Sequence, residues 1–209
     1  MNAGHLILLG AWAFFGFTHS FLAGDWFTSR CRSAMGRHFI YYRAIYSGVA
    51  LLSLAGVLLC QFSIQPIALT SFPILKWLLG LPLGCLGVWL MGNCIRKYFF
   101  NLSGVAVFRN RQHRPLLETK GVHRYIRHPL YMGTLLLLWS IFLFFPLLSN
   151  LLACGMITLY TLIGIRFEEK KLSREFGESY DIYKRTTPML IPRDLHVKCL
   201  QQFKSLFQR

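Results

Sequence analysis

The stretch Gly121-Val-His-Arg-Tyr-Ile-Arg-His-Pro-Leu-Tyr131 is basic, and the residues from 129 to 165 that continue it carry no charged side chain. Charge returns at Arg166-Phe-Glu-Glu-Lys-Lys171, and midway stands the turn signal Phe145-Pro-Leu-Leu-Ser-Asn150. Pro129 suits the first position of a helix, where its missing N–H leaves no bond unmade. The pattern predicts two antiparallel membrane helices, 130–145 and 151–167, joined by a tight turn. Each has roughly 16 residues and rises ~24 Å at ~1.5 Å per residue, slightly short of a bilayer core.

Such a hairpin fixes depth. His128 and Glu168 each lie twenty residues from Leu148, so both return to the same membrane face. Arg127, His128, Tyr131, Glu168 and Glu169 are thereby expected in one site where hydrocarbon meets water. Arg and Glu at helix ends also serve as interfacial anchors, so depth alone leaves both roles open.

The rest of the chain extends this pattern. It has 209 residues, is 54% hydrophobic and carries a formal charge of +15. Long apolar runs, instead of amphipathic periodicity, predict an all-α integral membrane protein. Three further spans are expected, at about 5–24, 44–64 and 73–94. Gly80 and Gly84 in the third have the small-xxx-small spacing that lets another helix approach closely, and Pro82 predicts a kink. The segment between Trp26 and Arg43 reads as a basic loop. Residues 168–183 read as a helix continuing the fifth span, with a break at Phe176-Gly177. Residues 193–209 read as an amphipathic helix on the membrane surface, a frayed terminal helix being the alternative. The whole is one membrane domain: residues 1–113 hold the first three spans and the start of a polar loop, 114–192 the core, 193–209 the tail. No cleavable signal pattern precedes the first span.

Of the 23 basic residues, 22 fall in residues 26–43, 96–127 and 166–209, and Lys76 alone falls elsewhere. Five spans place those three segments on one side, which the positive-inside rule makes cytoplasmic, with the N-terminus outside. In a bacterium this is the inner membrane. The same rule accounts for the charge without a nucleic-acid partner, and no obligate protein partner is indicated. Six cysteines include no CxxC pair, so neither a metal site nor a disulfide framework is expected. Gly-rich nucleotide loops, an HExxH motif and a Ser-His-Asp order are absent too. His19 is an ionisable ring within the first span, costly there unless used or satisfied. It reads either as a group facing the same cavity as His128 or as a neutral histidine bonded between helices.

Two pieces of sequence at hairpin spacing carry a resemblance. They are Gly121…Tyr125-Ile-Arg-His-Pro-Leu-Tyr131-Met-Gly133, and Glu168-Glu169-x-x-Leu172-x-x-x-Phe176-Gly177-x-x-Tyr180-x-x-Tyr183 with Pro188 and Pro192. Together they resemble the isoprenylcysteine carboxyl methyltransferase superfamily, which includes phospholipid N-methyltransferases. Thr18-His19-Ser20-Phe-Leu-Ala23 and Met189-Leu-Ile-Pro192 resemble a narrower group, the NnrU-like proteins and bacterial methanethiol S-methyltransferases. The resemblance implies S-adenosylmethionine as methyl donor at the cytosolic end of the hairpin. It implies His128, Tyr131 and Glu168 as cofactor contacts, and the backbone from Leu116 and Leu117 to His123 as the segment wrapping the donor. Tyr125, Arg127, Pro129 and Glu169 complete the expected binding set. Arg124 or Arg127 would pair with the donor's carboxylate, and His19 or His128 would serve as base. The implied acceptor is a small thiol or a lipophilic substrate entering from the bilayer. Gly164 stands where prenylcysteine enzymes carry an arginine for the substrate carboxylate, which argues against a prenylcysteine here. Carboxyl or amine methylation of a lipid-like substrate and a non-catalytic NnrU-like role are the alternatives.

Overall fold

The computed structural model describes residues 2–69, 73–103 and 117–192, and of residues 97–103 only the helical backbone. Leu116 and the expected surface helix at 193–209 lie outside the described residues. Seven α-helices carry the described chain: α1 Ala3–Ala23, α2 Asp25–Met35, α3 Tyr42–Ser63, α4 Leu81–Ser103, α5 Pro129–Phe144, α6 Leu148–Phe176 and α7 Glu178–Thr186. Four helical stretches are long and apolar enough to cross a membrane, and α5, at 16 residues, is a shorter apolar fifth. Leu51, Leu52, Leu59 and Phe62 of α3 are all exposed. Such apolar outer faces are what hydrocarbon, not water, accommodates. The protein is an all-helical integral membrane protein.

The hairpin forms as its sequence predicts. Pro129 occupies the start of α5, and the turn falls at residues 145–147. α6 begins three residues earlier than expected, at Leu148, because the turn does not stand alone. Leu148 N–H donates to Ile67 O at 2.9 Å, and Leu69 N–H donates to Pro146 O at 2.8 Å. An isolated antiparallel bridge between Ala68 and Leu147 lies between these bonds. The strand-like segment after α3 thus satisfies backbone groups that the turn would otherwise leave bare.

Pro82 acts differently from a simple kink. The turn before it, Lys76–Gly80, is a π-helix that passes into α4 at Leu81. A proline cannot donate to the preceding turn, and widening that turn by one residue absorbs the missing bond. The glycines then serve close packing of α4 on α5. A Cβ on Gly84 would lie 2.7 Å from Ser140 Oγ, and one on Gly87 would lie 2.8 Å from Gly133 O. Ser140 Oγ donates to Gly80 O at 2.7 Å across this seam. α4 runs on to Ser103, beyond the expected end at 94, because residues 95–103 continue the helix past its apolar part.

The basic loop at 26–43 is corrected: it is α2 followed by a 3₁₀ turn, Gly36–Tyr41. Charge alone hid its aromatic residues. Phe27 packs against Phe21 and Tyr42, while the Arg30 and Arg32 guanidinium groups lie 4.8 Å over the rings of Trp26 and Phe39. Arginine over aromatic rings suits the headgroup level. The break before α7 is at Gly177, whose φ of +54° favours glycine.

Candidate functional site at the end of the hairpin

A cleft of about 280 Å³ lies where the start of α5, the charged extension of α6 and α7 converge. His123, His128, Pro129, Tyr131, Glu168 and Leu117 all line it, as the sequence led one to expect. The backbone is pinned first. Arg127 and His128 donate their N–H groups to Pro188 O and Met189 O at 2.9 and 3.2 Å, so the segment after α7 lies against the start of α5. Tyr183 Oη donates to His123 O at 2.6 Å, and the His123 ring lies 3.2 Å from Arg127 O through Nδ1. The 3₁₀ turn Gly121–Arg124 is held to α7 by these contacts.

Arg127, which also lines the cleft, and Glu169, which does not, form an ion pair that frames the site. Arg127 donates to Glu169 Oε1 from Nε at 2.8 Å and from Nη2 at 2.6 Å, and its Nη1 donates to Lys184 O and Thr187 O. The two side chains are 8% and 9% exposed. All three guanidinium nitrogens are thus engaged with Glu169 and the end of α7. Glu169 also receives His128 Nε2 at 3.3 Å and Lys184 Nζ at 3.4 Å, and it faces away from the cleft. Of these two expected ligand contacts, Arg127 lines the cleft and Glu169 does not. Arg124 is exposed, and Tyr125, 57% exposed, is not part of the cleft's lining.

Glu168 is the carboxylate that enters the cleft. Its neighbour in sequence turns the other way because successive helical residues point about 100° apart. Tyr131 lines the same cleft, and His128 Nδ1 lies 3.7 Å from Glu168 Oε2. That oxygen is buried and has no hydrogen-bond partner among the described residues. His128, 6% exposed, is thus held between two carboxylates, one in the frame and one in the cleft.

Cys94, Glu118, Leu172, Phe176, Tyr180 and Tyr183 complete much of the wall. The last four stand in the motif that carries the family resemblance, Leu172 and Phe176 on α6 and Tyr180 and Tyr183 on α7 beyond the Gly177 break. Cys94 and Glu118 gave no such signal. Tyr180 is 1% exposed, and burial, together with the charge of Glu169, pushes its phenol above the ordinary tyrosine range.

His19 lies outside the cleft's lining, in α1. Its Nε2 is 2.8 Å from Tyr46 Oη, and its ring stacks on Phe15 with centroids 5.7 Å apart. Tyr160 of α6 lies over Gly16, edge-on to His19, and shares a 3.0 Å hydrogen bond with Ser20. Among the described residues no cluster of His, Cys, Asp and Glu is arranged to hold a metal ion.

Fold and cleft together define a polytopic helical membrane protein with a polar site at the end of its last two spans. The chain belongs to the phospholipid methyltransferase family, whose sequence profile matches residues 75–179, just over half of its length. It is 38% identical over 88 residues to a methanethiol S-methyltransferase of Crocosphaera subtropica, a match covering 41% of this chain and 33% of that protein. It is 35% identical over 101 residues to methanethiol S-methyltransferase 2 of Bradyrhizobium diazoefficiens, covering 47% of this chain and 36% of that one. It is also 33% identical over 112 residues to the protein-S-isoprenylcysteine O-methyltransferase of Schizosaccharomyces pombe, covering 52% and 46%. The matched stretch thus spans less than half of each relative's length. No solved structure matches the chain.

Proposed function

We propose that this protein is a membrane methyltransferase that uses S-adenosylmethionine and methylates a small thiol of the methanethiol class. The observation that carries the reading is the meeting of His128, Tyr131 and Glu168 in the cleft, with Glu168 Oε2 buried and unbonded among the described residues. A carboxylate oxygen in that position accepts hydrogen bonds from a ribose hydroxyl or an ammonium group. Leu117, Leu172 and Phe176 offer apolar surface to a base, and the ring of Tyr131 tolerates a nearby cation. The residues present therefore fit the donor. When bound, S-adenosylmethionine supplies an electrophilic methyl group on a sulfonium centre.

The chain's own groups orient and deprotonate. Glu168 fixes one end of the donor, and His128, clamped between Glu168 and Glu169, holds the wall of the cleft in place. A small thiol is mostly protonated near neutral pH, and the thiolate is the nucleophile. His19 takes the thiol proton, its ring oriented by Tyr46, and the thiolate sulfur would bond the methyl carbon as that carbon's bond to the sulfonium sulfur breaks, its electron pair leaving the spent donor as a neutral thioether. Tyr46 and Tyr160 flank the His19 ring on the α1 side of the bundle. The distribution of basic residues supports a cytoplasmic cleft and an outside N-terminus in a bacterial inner membrane.

A second reading has its own support. An apolar groove of about 590 Å³ beside the cleft is lined by Leu135, Trp139, Leu162 and residues 188–191, and would take the tail of a lipid-like acceptor. The isoprenylcysteine relative is in keeping with it. Gly164, with open space where a side chain would be, leaves such an acceptor's carboxylate without the expected arginine. Purified protein with methyl-labelled donor and a panel of thiols, prenylcysteines and phospholipids separates the two. Label in dimethyl sulfide is expected. Label only in prenylcysteine or lipid, or in no acceptor, refutes the thiol reading.

A further inference from the structure

A second cavity, of about 520 Å³, lies among α1, α3, α5 and α6 at the end of the bundle opposite the cleft. Leu58, Phe62, Leu138, Ile141, Phe145 and Ile157 make most of its wall. Two polar atoms of wall residues are buried without a partner among the described residues, the indole Nε1 of Trp12 and Oε1 of Gln61. Trp12 is 6% exposed.

The orientation of the Gln61 amide is dictated by its neighbours. Asn150 Nδ2 donates to Phe145 O at 2.8 Å, so Asn150 Oδ1 is the acceptor that remains, and Gln61 Nε2 donates to it at 2.9 Å. This chain of bonds leaves Gln61 Oε1 as a free acceptor and not a donor. Beside the polar Ser149 and Asn150, the largely apolar wall therefore carries one unpartnered donor and one unpartnered acceptor among the described residues. They lie at different depths: Gln61 is two residues from the end of α3, while Trp12 is nine residues into α1. No lysine, arginine or histidine lines the cavity, so a phosphate would have no counter-charge there.

We propose that this cavity binds a neutral acylglycerol with a free hydroxyl. The hydroxyl donates to Gln61 Oε1 near the membrane face, an ester carbonyl accepts from Trp12 Nε1 deeper in, and the acyl chain fills the apolar volume. A hydrocarbon satisfies neither atom, a fatty alcohol or methyl ester one of them, and a phospholipid brings an unpaired charge. The site is independent of the methyl-transfer reading, because none of its residues belongs to the cleft.

Native mass spectrometry of the full chain in detergent tests the assignment, with monoolein, oleyl alcohol, methyl oleate and lysophosphatidylcholine as probes. Monoolein is expected to be retained best. Trp12→Phe and Gln61→Leu should each lower its retention by about five-fold, the scale of one lost hydrogen bond. Trp12→Phe should no longer distinguish monoolein from oleyl alcohol, and Gln61→Leu should no longer distinguish it from methyl oleate. Equal retention of the four probes, or undiminished monoolein retention in both variants, overturns the proposal and leaves buried water as the partner of the two atoms.

Discussion

Glu168 and Glu169 are adjacent in sequence, and the structure gives them opposite liabilities. Removing the Glu169 carboxylate strands Arg127, which holds that group through two nitrogens at 2.6 and 2.8 Å in a pocket where both side chains are under a tenth exposed. Leaving one member of a buried pair uncompensated costs about 3–5 kcal/mol. At about 2–4 °C per kcal/mol for a chain of this size, Glu169→Ala should lower the unfolding midpoint by about 6–20 °C. Lys184, half exposed at 3.4 Å, adds little to that figure. Glu168→Ala removes a carboxylate whose Oε2 already lacks a hydrogen-bond partner, so its effect on stability should be small. Its effect on ligand binding should be large: a lost charged hydrogen bond is worth about 1.5–3 kcal/mol, or about 10–150-fold in affinity for S-adenosylhomocysteine. Thermal unfolding in detergent and isothermal calorimetry read the two quantities separately. If Glu169→Ala unfolds at the wild-type temperature, the frame does not exist as described. If Glu168→Ala binds the product as tightly as wild type, Glu168 is not in the donor site.

Other outcomes follow from the same geometry. His19→Ala should lower turnover of a thiol by about 100-fold, the scale of a lost general base, with donor affinity intact and partial rescue at higher pH as more thiol ionises unaided; full turnover at neutral pH returns His19 to a structural role between α1 and α3. Tyr46→Phe, which releases the ring but leaves the base, should cost less turnover than His19→Ala in the same assay. Gly133→Val should prevent stable packing of α5 on α4, since its Cβ alone would come 3.0 Å from Gly87 O, a backbone atom that cannot swing aside; monodisperse, wild-type-like unfolding would refute the close approach. A reporter in the turn near Pro66 should read outside and one after Ile191 cytoplasmic, and a reversal at either position breaks the charge-based topology.

What the sequence made legible follows from what is periodic and local. The uncharged run ending at Arg166, interrupted by Phe145-Pro146, specifies a hairpin because hydrocarbon admits few alternatives. Gly177 specifies a break because a positive φ suits few other residues. The helix at Asp25–Met35 was hidden because its arginines were read as loop, whereas Arg30 and Arg32 cover aromatic rings at the membrane edge. The roles within the site were legible as a set and not residue by residue. Equal depth put Arg127, His128, Glu168 and Glu169 together, but depth says nothing about the angle around a helix. Two adjacent residues of α6 differ by about 100°, and which of them faces the cleft depends on where α7 docks. That docking rests on long-range bonds, such as Tyr183 Oη to His123 O and Arg127 Nη1 to Lys184 O, which no local pattern encodes. Arg127 therefore clasps α7 at the edge of the cleft, and Glu168, whose Oε2 has no hydrogen-bond partner among the described residues, is the α6 carboxylate that lines it.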